Sequence, residues 1–246
     1  MYNILVQMMI KDNIAGIKER ISKVCSRINK RPGEITVVAV SKGRTLEQIK
    51  KVIEAGITDI GENKVQEALL KYKELSAMAE PACPAGRRQA GVGFQLSAVR
   101  WHMVGHLQTN KVKDAVKIFD LIHSLDSLHL ASEIDKQAAR INKIQDVLVE
   151  VNTSDEATKF GIKPEGLPGL VKSVSRLKNI RLLGLMTIAP IADTQEKARP
   201  YFRMLRELRD KINELSALSM GMSDDFEIAI EEGANMLRIG RAIFGE

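Results

Sequence analysis

Apolar and polar positions along the chain alternate between two periods, one typical of buried strands and one typical of helices. Short apolar runs of about four to eight residues predict strands, and amphipathic stretches predict the helices between them. The strands are predicted near residues 35–40, 58–61, 100–104, 119–124, 146–151, 181–187, 217–220 and 236–239. This order is a repeating strand-helix unit.

A further helix precedes the first strand. We predict that it begins near Asp12 as its N-cap and ends near Asn29, because apolar residues recur there at helical spacing. These residues are Ile14, Ile17, Ile21, Val24 and Ile28. Residues 2–7 do not continue this period, so residues 1–9 are expected to be a disordered tail, or else the true start lies at Met8 or Met9.

Eight strands with crossover helices fit either a closed parallel barrel or a doubly wound sheet. No predicted strand opens on a Gly-x-Gly-x-x-Gly turn, and polar residues end many strands instead of lining one crevice. We therefore predict an α/β fold, a single (β/α)8 TIM barrel over residues 1–246 with an extra N-terminal helix. Residues 76–98 are rich in proline and glycine without a period, which predicts a disordered insertion at the N-terminal face.

Composition limits the classes of ligand and the cellular compartment that fit this chain. The net charge of +6, from 37 basic and 31 acidic residues, suits a phosphate ligand, while 4% aromatic residues argue against a stacking platform for nucleic acid. Cys25 and Cys83 lack metal-like spacing, which argues against a disulfide framework or a metal site. No apolar run approaches the ~20 residues of a membrane span. We expect a soluble cytoplasmic protein that binds neither nucleic acid nor membrane.

The first strand ends at a lysine, Lys42, that follows the run 35–41. An amine at a strand's carboxyl end is expected to be partly desolvated, which lowers its pKa and frees it to condense with an aldehyde. Near the other end of the chain, residues 218–223 and 237–241 are typical of a phosphate cradle beside an arginine. Together the two ends predict pyridoxal 5′-phosphate as the cofactor.

The phosphate cradle is predicted as a nest of hydroxyl and amide groups before a helix that begins near Asp224. Its members are Ser219, Gly221, Met222 and Ser223. The same residues also match an ordinary helix-capping sequence, and both interpretations can hold together. Asp224 and Asp225 are expected to turn outward, away from the phosphate.

Five segments resemble the pyridoxal phosphate homeostasis protein family: 39–42, 61–67, 101–111, 184–187 and 218–227. The resemblance spans about residues 14–245, with residues 76–98 as the main gap. It implies a barrel like the N-terminal domain of alanine racemase, with the cofactor held as a covalent aldimine, a Schiff base, on Lys42. The sequence departs at residues 43–45, where Gly-Arg-Thr replaces a threonine-lysine-proline-like turn.

The resemblance also implies further cofactor contacts. Arg238 would face the pyridine nitrogen, and the backbone at Gly240 and Arg241 would help to hold the phosphate. A guanidinium disfavours a second cation beside it, so the ring would be a weak stabiliser of carbanions. Asn63 and His102 are placed near the ring hydroxyl or the Schiff base.

Other residues receive simpler predictions. Met186 and Thr187 end a strand and are expected to line the pocket. His106, His123 and His129 are expected to be hydrogen-bonded core residues. His123 lies at a strand end, so a functional role remains open for it.

Three functions remain open on the sequence. The first is storage, carriage or buffering of pyridoxal phosphate, with apo enzymes that use this cofactor as partners. The second is a slow amino-acid racemase or lyase, although Tyr2, Tyr72 and Tyr201 all fall outside strand ends, where a second acid-base group would be needed. The third is a barrel that binds another phosphorylated metabolite by an ion pair with Lys42. Without the β-domain of alanine racemase, a monomer is expected.

Overall fold

Eight parallel strands close into a barrel in chain order, with β8 paired to β1. The computed structural model describes residues 2–78, 98–154, 156 and 159–245. The strands are β1 (Thr36–Val40), β2 (Asp59–Glu62), β3 (Arg100–Met103), β4 (Leu121–Leu125), β5 (Gln145–Glu150), β6 (Ile180–Met186), β7 (Ala217–Ser219) and β8 (Met236–Ile239). The predicted TIM barrel is confirmed, and each observed strand overlaps its predicted run.

Helices between the strands form the outer layer. They are α1 (Tyr2–Arg27), α2 (Leu46–Glu54), α3 (Val65–Met78), α4 (Val112–Ile118), α5 (Leu128–Ala139), α6 (Leu167–Val174), α7 (Arg199–Asp210), α8 (Phe226–Glu231) and α9 (Arg241–Phe244). None of the helices in the described ranges is long and apolar enough to cross a membrane.

The first helix begins ten residues before its predicted N-cap. Its apolar stripe extends back to Ile10, which is 1% exposed, and Asp12 lies on the exposed surface of a continuous helix instead of capping it. The predicted tail over residues 1–9 is therefore wrong from Tyr2 onward, because the backbone there is helical. The helix packs against α2, α8 and α9, which completes the ring of helices as predicted.

The predicted insertion is only partly covered by the structure. Residues 76–78 belong to α3, so the predicted start of the insertion is at least three residues early. Residues 79–97, including Cys83, lie outside the described residues, and their predicted disorder stays a prediction.

The barrel interior is divided between an apolar group and a polar one. Alternation of side chains along each strand points every second residue inward. The inward apolar residues are Val38, Val104, Leu121, Leu148, Met186 and Met236. The inward polar residues include Asp59, His102, His123, Ser219 and Arg238, which hydrogen bond to one another. A larger apolar core fills the layer between the sheet and the helices.

Candidate functional site

Lys42 lies in a turn directly after β1, at the carboxyl-terminal mouth of the barrel. Its side chain is exposed, so the expectation of partial desolvation is wrong. The reason is local: the strand ends at Val40, and Lys42 lies two residues later in a turn with Gly43, whose φ is +67°. An exposed primary amine at a barrel mouth remains free to meet a ligand.

The departure at residues 43–45 has a structural explanation. The positive φ at Gly43 favours glycine. Thr45 then caps α2: its hydroxyl accepts a hydrogen bond from the backbone N–H of Gln48 at 3.3 Å, and the Gln48 side chain accepts the Thr45 N–H at 3.0 Å. Arg44 donates to the carbonyl oxygen of Gly245 at 2.6 Å, which ties the turn to the end of the chain.

Arg238, on β8, is 4% exposed and points into the barrel. Its guanidinium donates to Ser219 Oγ at 2.7 Å and to the carbonyl oxygen of Thr187 at 2.8 Å. Burial lowers the pKa of Arg238 to about 10, an effect opposed by the carboxylates of Glu150 and Asp225. The guanidinium therefore keeps its charge at neutral pH.

Arg238 is the end of a chain of hydrogen bonds across the barrel, which we call the polar chain. His123 Nδ1 lies 3.0 Å from Ser219 Oγ, His123 Nε2 lies 2.9 Å from His102 Nδ1, and His102 Nε2 lies 2.9 Å from Asp59 Oδ1. An arginine only donates and a carboxylate only accepts. With both rings neutral, one set of directions fits: Ser219 donates to His123, His123 to His102, and His102 to Asp59.

Burial and the positive charge of Arg238 favour a neutral imidazole at His123. Burial lowers the pKa of His123 well below its usual value, and the nearby His102 and Arg238 lower it further. The prediction that His123 is a hydrogen-bonded core residue is confirmed. It is wrong for His129, which is exposed, and for His106, which is part-exposed and stacks on the Phe160 ring at 3.8 Å.

Two predicted cofactor-binding residues are members of the polar chain. The hydroxyl of Ser219 lies between Arg238 and His123 inside the barrel, and its contact with a phosphate stays a prediction. His102 is fully buried with both ring nitrogens hydrogen bonded to protein side chains, and its contact with a cofactor stays a prediction. Both residues face inward because side chains alternate along a strand: His102 lies two residues before the inward Val104, and Ser219 lies two residues after Ala217, which packs against the inward apolar group.

The loop after β7 has the close packing expected of an anion cradle. Gly221 has a φ of +92°, and a Cβ there would lie 2.6 Å from the Cβ of Ala229, so no larger residue fits without movement. The backbone N–H of Met222 lies in this loop and donates to Asp225 Oδ1 at 2.6 Å. The predicted outward orientation of Asp225 is therefore wrong, and burial raises the pKa of this carboxyl.

The remaining predicted cradle residues lie before α8 and at the start of α9. Ser223 Oγ accepts the backbone N–H of Ala242 at 3.1 Å, which joins the loop before α8 to α9. Gly240 lies against β1, where a Cβ would be 3.4 Å from the carbonyl oxygen of Val40. Arg241 pairs with the exposed Asp224, which does point outward as predicted. The helix α8 begins at Phe226, two residues after the predicted start.

Three further residues lie at the mouth or just below it. Met186 is fully buried in the barrel, and Asn63 is half-buried directly after β2. Glu150 is the last residue of β5, and its side chain faces the barrel interior. The sequence analysis missed it. Its position two and four residues after the inward Leu148 and Asp146 could have identified it, since inward residues alternate.

Glu150 is 6% exposed and titrates unusually. Burial raises its pKa to about 7, an effect that Arg238 opposes and Asp126 reinforces. No group of three or more His, Cys, Asp or Glu side chains suited to a metal ion occurs within the described ranges. The mouth thus combines an exposed amine, a buried guanidinium, a glycine-lined loop and a buried carboxyl.

Comparisons with known proteins agree with this geometry. The family model "Alanine racemase, N-terminal domain" matches residues 13–246. The pyridoxal phosphate homeostasis protein of Aquifex aeolicus is 42% identical over 240 residues, covering 96% of this chain and 97% of the relative. That of Escherichia coli K12 is 34% identical over 241 residues, covering 96% of each. The chain belongs to the pyridoxal phosphate homeostasis protein family.

Solved structures show the same relationship for this family. PipY of Synechococcus elongatus, with PLP bound, has a TM-score of 0.76 at 32% identity, covering 93% of this chain and all of that one. An alanine racemase of Clostridium difficile has a TM-score of 0.69 at 15% identity, covering 97% of this chain and 56% of that one. The latter establishes the shared barrel fold alone.

Proposed function

We propose that this protein binds pyridoxal 5′-phosphate through a Schiff base on Lys42 and stores, carries or buffers it for apo enzymes that need it. The observation that carries this proposal is the pairing of an exposed Lys42 amine with a buried Arg238 at one barrel mouth. The match to relatives named for pyridoxal phosphate homeostasis supports it.

The residues present fit this cofactor. Lys42 supplies the amine, and Gly221 and Gly240 allow the backbone to approach a phosphate closely, while the Asp225 carboxyl would have to release the Met222 N–H to a phosphate oxygen. When bound, the cofactor supplies an aldehyde and an electron-withdrawing ring. The chain's own residues hold it and exclude water from its buried side.

Arg238 restrains chemistry at the site more than it restrains binding. Two hydrogen bonds hold its guanidinium in place, and the positive charge keeps a pyridine nitrogen beside it unprotonated. A ring held in this way withdraws electrons weakly, which favours a binding protein over an enzyme. Tyr72 and Tyr201 lie in α3 and α7, away from the strand ends, so neither is placed for acid-base work at the mouth.

Titration of the purified protein with pyridoxal phosphate tests the proposal. We expect a visible Schiff-base band that disappears in Lys42→Ala and persists in the matched control Lys64→Ala, which removes another exposed lysine near the mouth. The protein loaded with pyridoxal phosphate should then restore activity to an apo enzyme, and we expect the loaded protein to be a monomer. Binding without a visible band would favour an ion pair with another phosphorylated metabolite.

Glu150 favours slow racemase or lyase activity as a second candidate. A carboxyl with a pKa of about 7 at the mouth can accept and return a proton near neutral pH. Incubation with amino acids in deuterated solvent distinguishes the two functions. Deuterium at the α-carbon that is lost in Glu150→Gln would establish turnover, whereas no incorporation favours binding alone.

A further inference from the structure

A group of charged side chains, two of them buried and one part-exposed, lies beside the turn that contains Lys42. It consists of Lys71 on α3, Glu62 at the end of β2 and Glu67 in the first turn of α3, and we call it the Lys71 cluster. Lys71 Nζ donates to Glu62 Oε1 at 2.6 Å and to Glu67 Oε1 at 2.7 Å. The side chains of Lys71 and Glu62 are 10% and 0% exposed.

The contacts of the Lys71 cluster converge on the two neighbours of Lys42. Lys71 Nζ donates to the carbonyl oxygen of Ser41 at 2.6 Å, and Ser41 Oγ donates to Glu62 Oε1 at 2.5 Å. On the other side, the backbone N–H of Gly43 donates to Glu67 Oε1 at 2.6 Å. The residue before Lys42 and the residue after it are therefore both held by charged side chains.

Stability alone does not account for this arrangement. Burial of charges is costly, and Glu62 Oε2 has no hydrogen-bond partner among the residues that the structure describes. Burial raises the pKa of Glu62 while hydrogen bonds from Lys71 and Ser41 lower it. Exposed pairs such as Lys50 with Glu47 hold only their own helix, whereas these side chains hold a turn at the mouth.

We propose that Lys71, Glu62 and Glu67 are positioning residues that fix the turn of Ser41 and Gly43 and thereby aim the Lys42 amine into the barrel mouth. This inference rests on the proposed function, in which Lys42 reacts with an aldehyde. In this role the Lys71 cluster promotes the reaction of the Lys42 amine and has no effect on the binding of phosphate.

The test compares two ligands that differ only at the reacting carbon. Pyridoxal phosphate has an aldehyde there, and pyridoxine phosphate has an alcohol that cannot condense with an amine. In Glu67→Ala, we expect affinity for pyridoxal phosphate to fall about tenfold, because a charge-assisted hydrogen bond to the turn is lost. Affinity for pyridoxine phosphate should change less than about twofold. The control Glu47→Ala removes an exposed carboxylate of α2 and should change neither.

Amide exchange at Gly43 gives a readout that needs no ligand. Measured by NMR, it should accelerate about tenfold in Glu67→Ala and rise less in Glu67→Gln, which keeps an acceptor for the Gly43 N–H. Equal loss of affinity for both ligands, or unchanged exchange at Gly43, would overturn the inference. Failure of the wild-type protein to react with pyridoxal phosphate would instead refute the proposed function, while the exchange measurement would still decide whether the cluster holds the turn.

Discussion

Single residues inside the barrel determine the position of the Arg238 guanidinium. Neither the apolar pattern nor the motifs indicated that Ser219, His123, His102 and Asp59 form one hydrogen-bonded chain to it. Together with Arg238, these residues lie on five different strands, and their pairing depends on strand order and register, which local sequence does not encode. The strand-end motifs identified Lys42 and Arg238 because each follows or lies in a short apolar run.

Removal of the Ser219 hydroxyl should loosen Arg238. In Ser219→Ala, the guanidinium and His123 each lose a buried partner, which should lower the free energy of unfolding by about 1–3 kcal/mol. Affinity for pyridoxal phosphate should fall at the same time. Chemical denaturation and titration measure both effects, and Ser219→Thr, which keeps the hydroxyl, is the control. Wild-type affinity in Ser219→Ala would contradict a role in positioning Arg238.

Glu150 should make stability depend on pH. Its pKa of about 7 in the folded protein lies above the unfolded value of about 4.3, so the folded state holds the proton more tightly. Stability should therefore fall as pH rises from about 4 to about 7 and then level off. Relative to wild type, Glu150→Gln should be equally stable near pH ~4 and more stable by roughly 3 kcal/mol above pH ~7.

Unfolding by denaturant at several pH values measures this difference. Glu165→Gln removes the same charge from an exposed position and controls for net charge. A difference between Glu150→Gln and wild type that stays constant with pH would show that Glu150 is not desolvated.

At the scale of elements, periodicity predicted the strands well and the helix ends less well. Apolar runs mark strands directly, because every barrel strand is buried on both faces. The start of α1 was misplaced because Asp12 is a good capping residue that lies on the surface of a longer helix. The start of α8 was misplaced because the chain between β7 and this helix packs through Gly221 and turns Asp225 inward.

Gly221 gives a test of that loop. In Gly221→Ala, a positive φ and a Cβ contact of 2.6 Å with Ala229 should destabilise the protein by about 1–3 kcal/mol and weaken binding of pyridoxal phosphate. Gly233→Ala is a matched control, since its φ is +98° but its Cβ would meet only side-chain atoms, of Arg206 at 3.3 Å and of Leu218 at 3.8 Å. Both variants should lose stability, as thermal unfolding measures. Equal affinity in the two would contradict a role of the loop after β7 in binding.

At the scale of the whole molecule, the barrel brings together residues that are nearly 200 positions apart in the chain. Closure of β8 on β1 places Gly240 against Val40, and so joins the Lys42 turn to the Arg238 strand. The repeating unit left two possible folds, a closed barrel and a doubly wound sheet, and the polar residues at the ends of many strands favoured the barrel. The orientation of side chains at the mouth required the structure, as the exposure of Lys42 shows.

Borohydride reduction of the protein after incubation with pyridoxal phosphate, followed by peptide mass mapping, tests the central claim most directly. Reduction converts a Schiff base into a stable amine, so the modified lysine can be located in the sequence. We predict one dominant adduct, on Lys42, that is absent from Lys42→Ala while the variant keeps its fold. A dominant adduct on Lys64 or Lys111, or an adduct that survives in Lys42→Ala, would contradict the account.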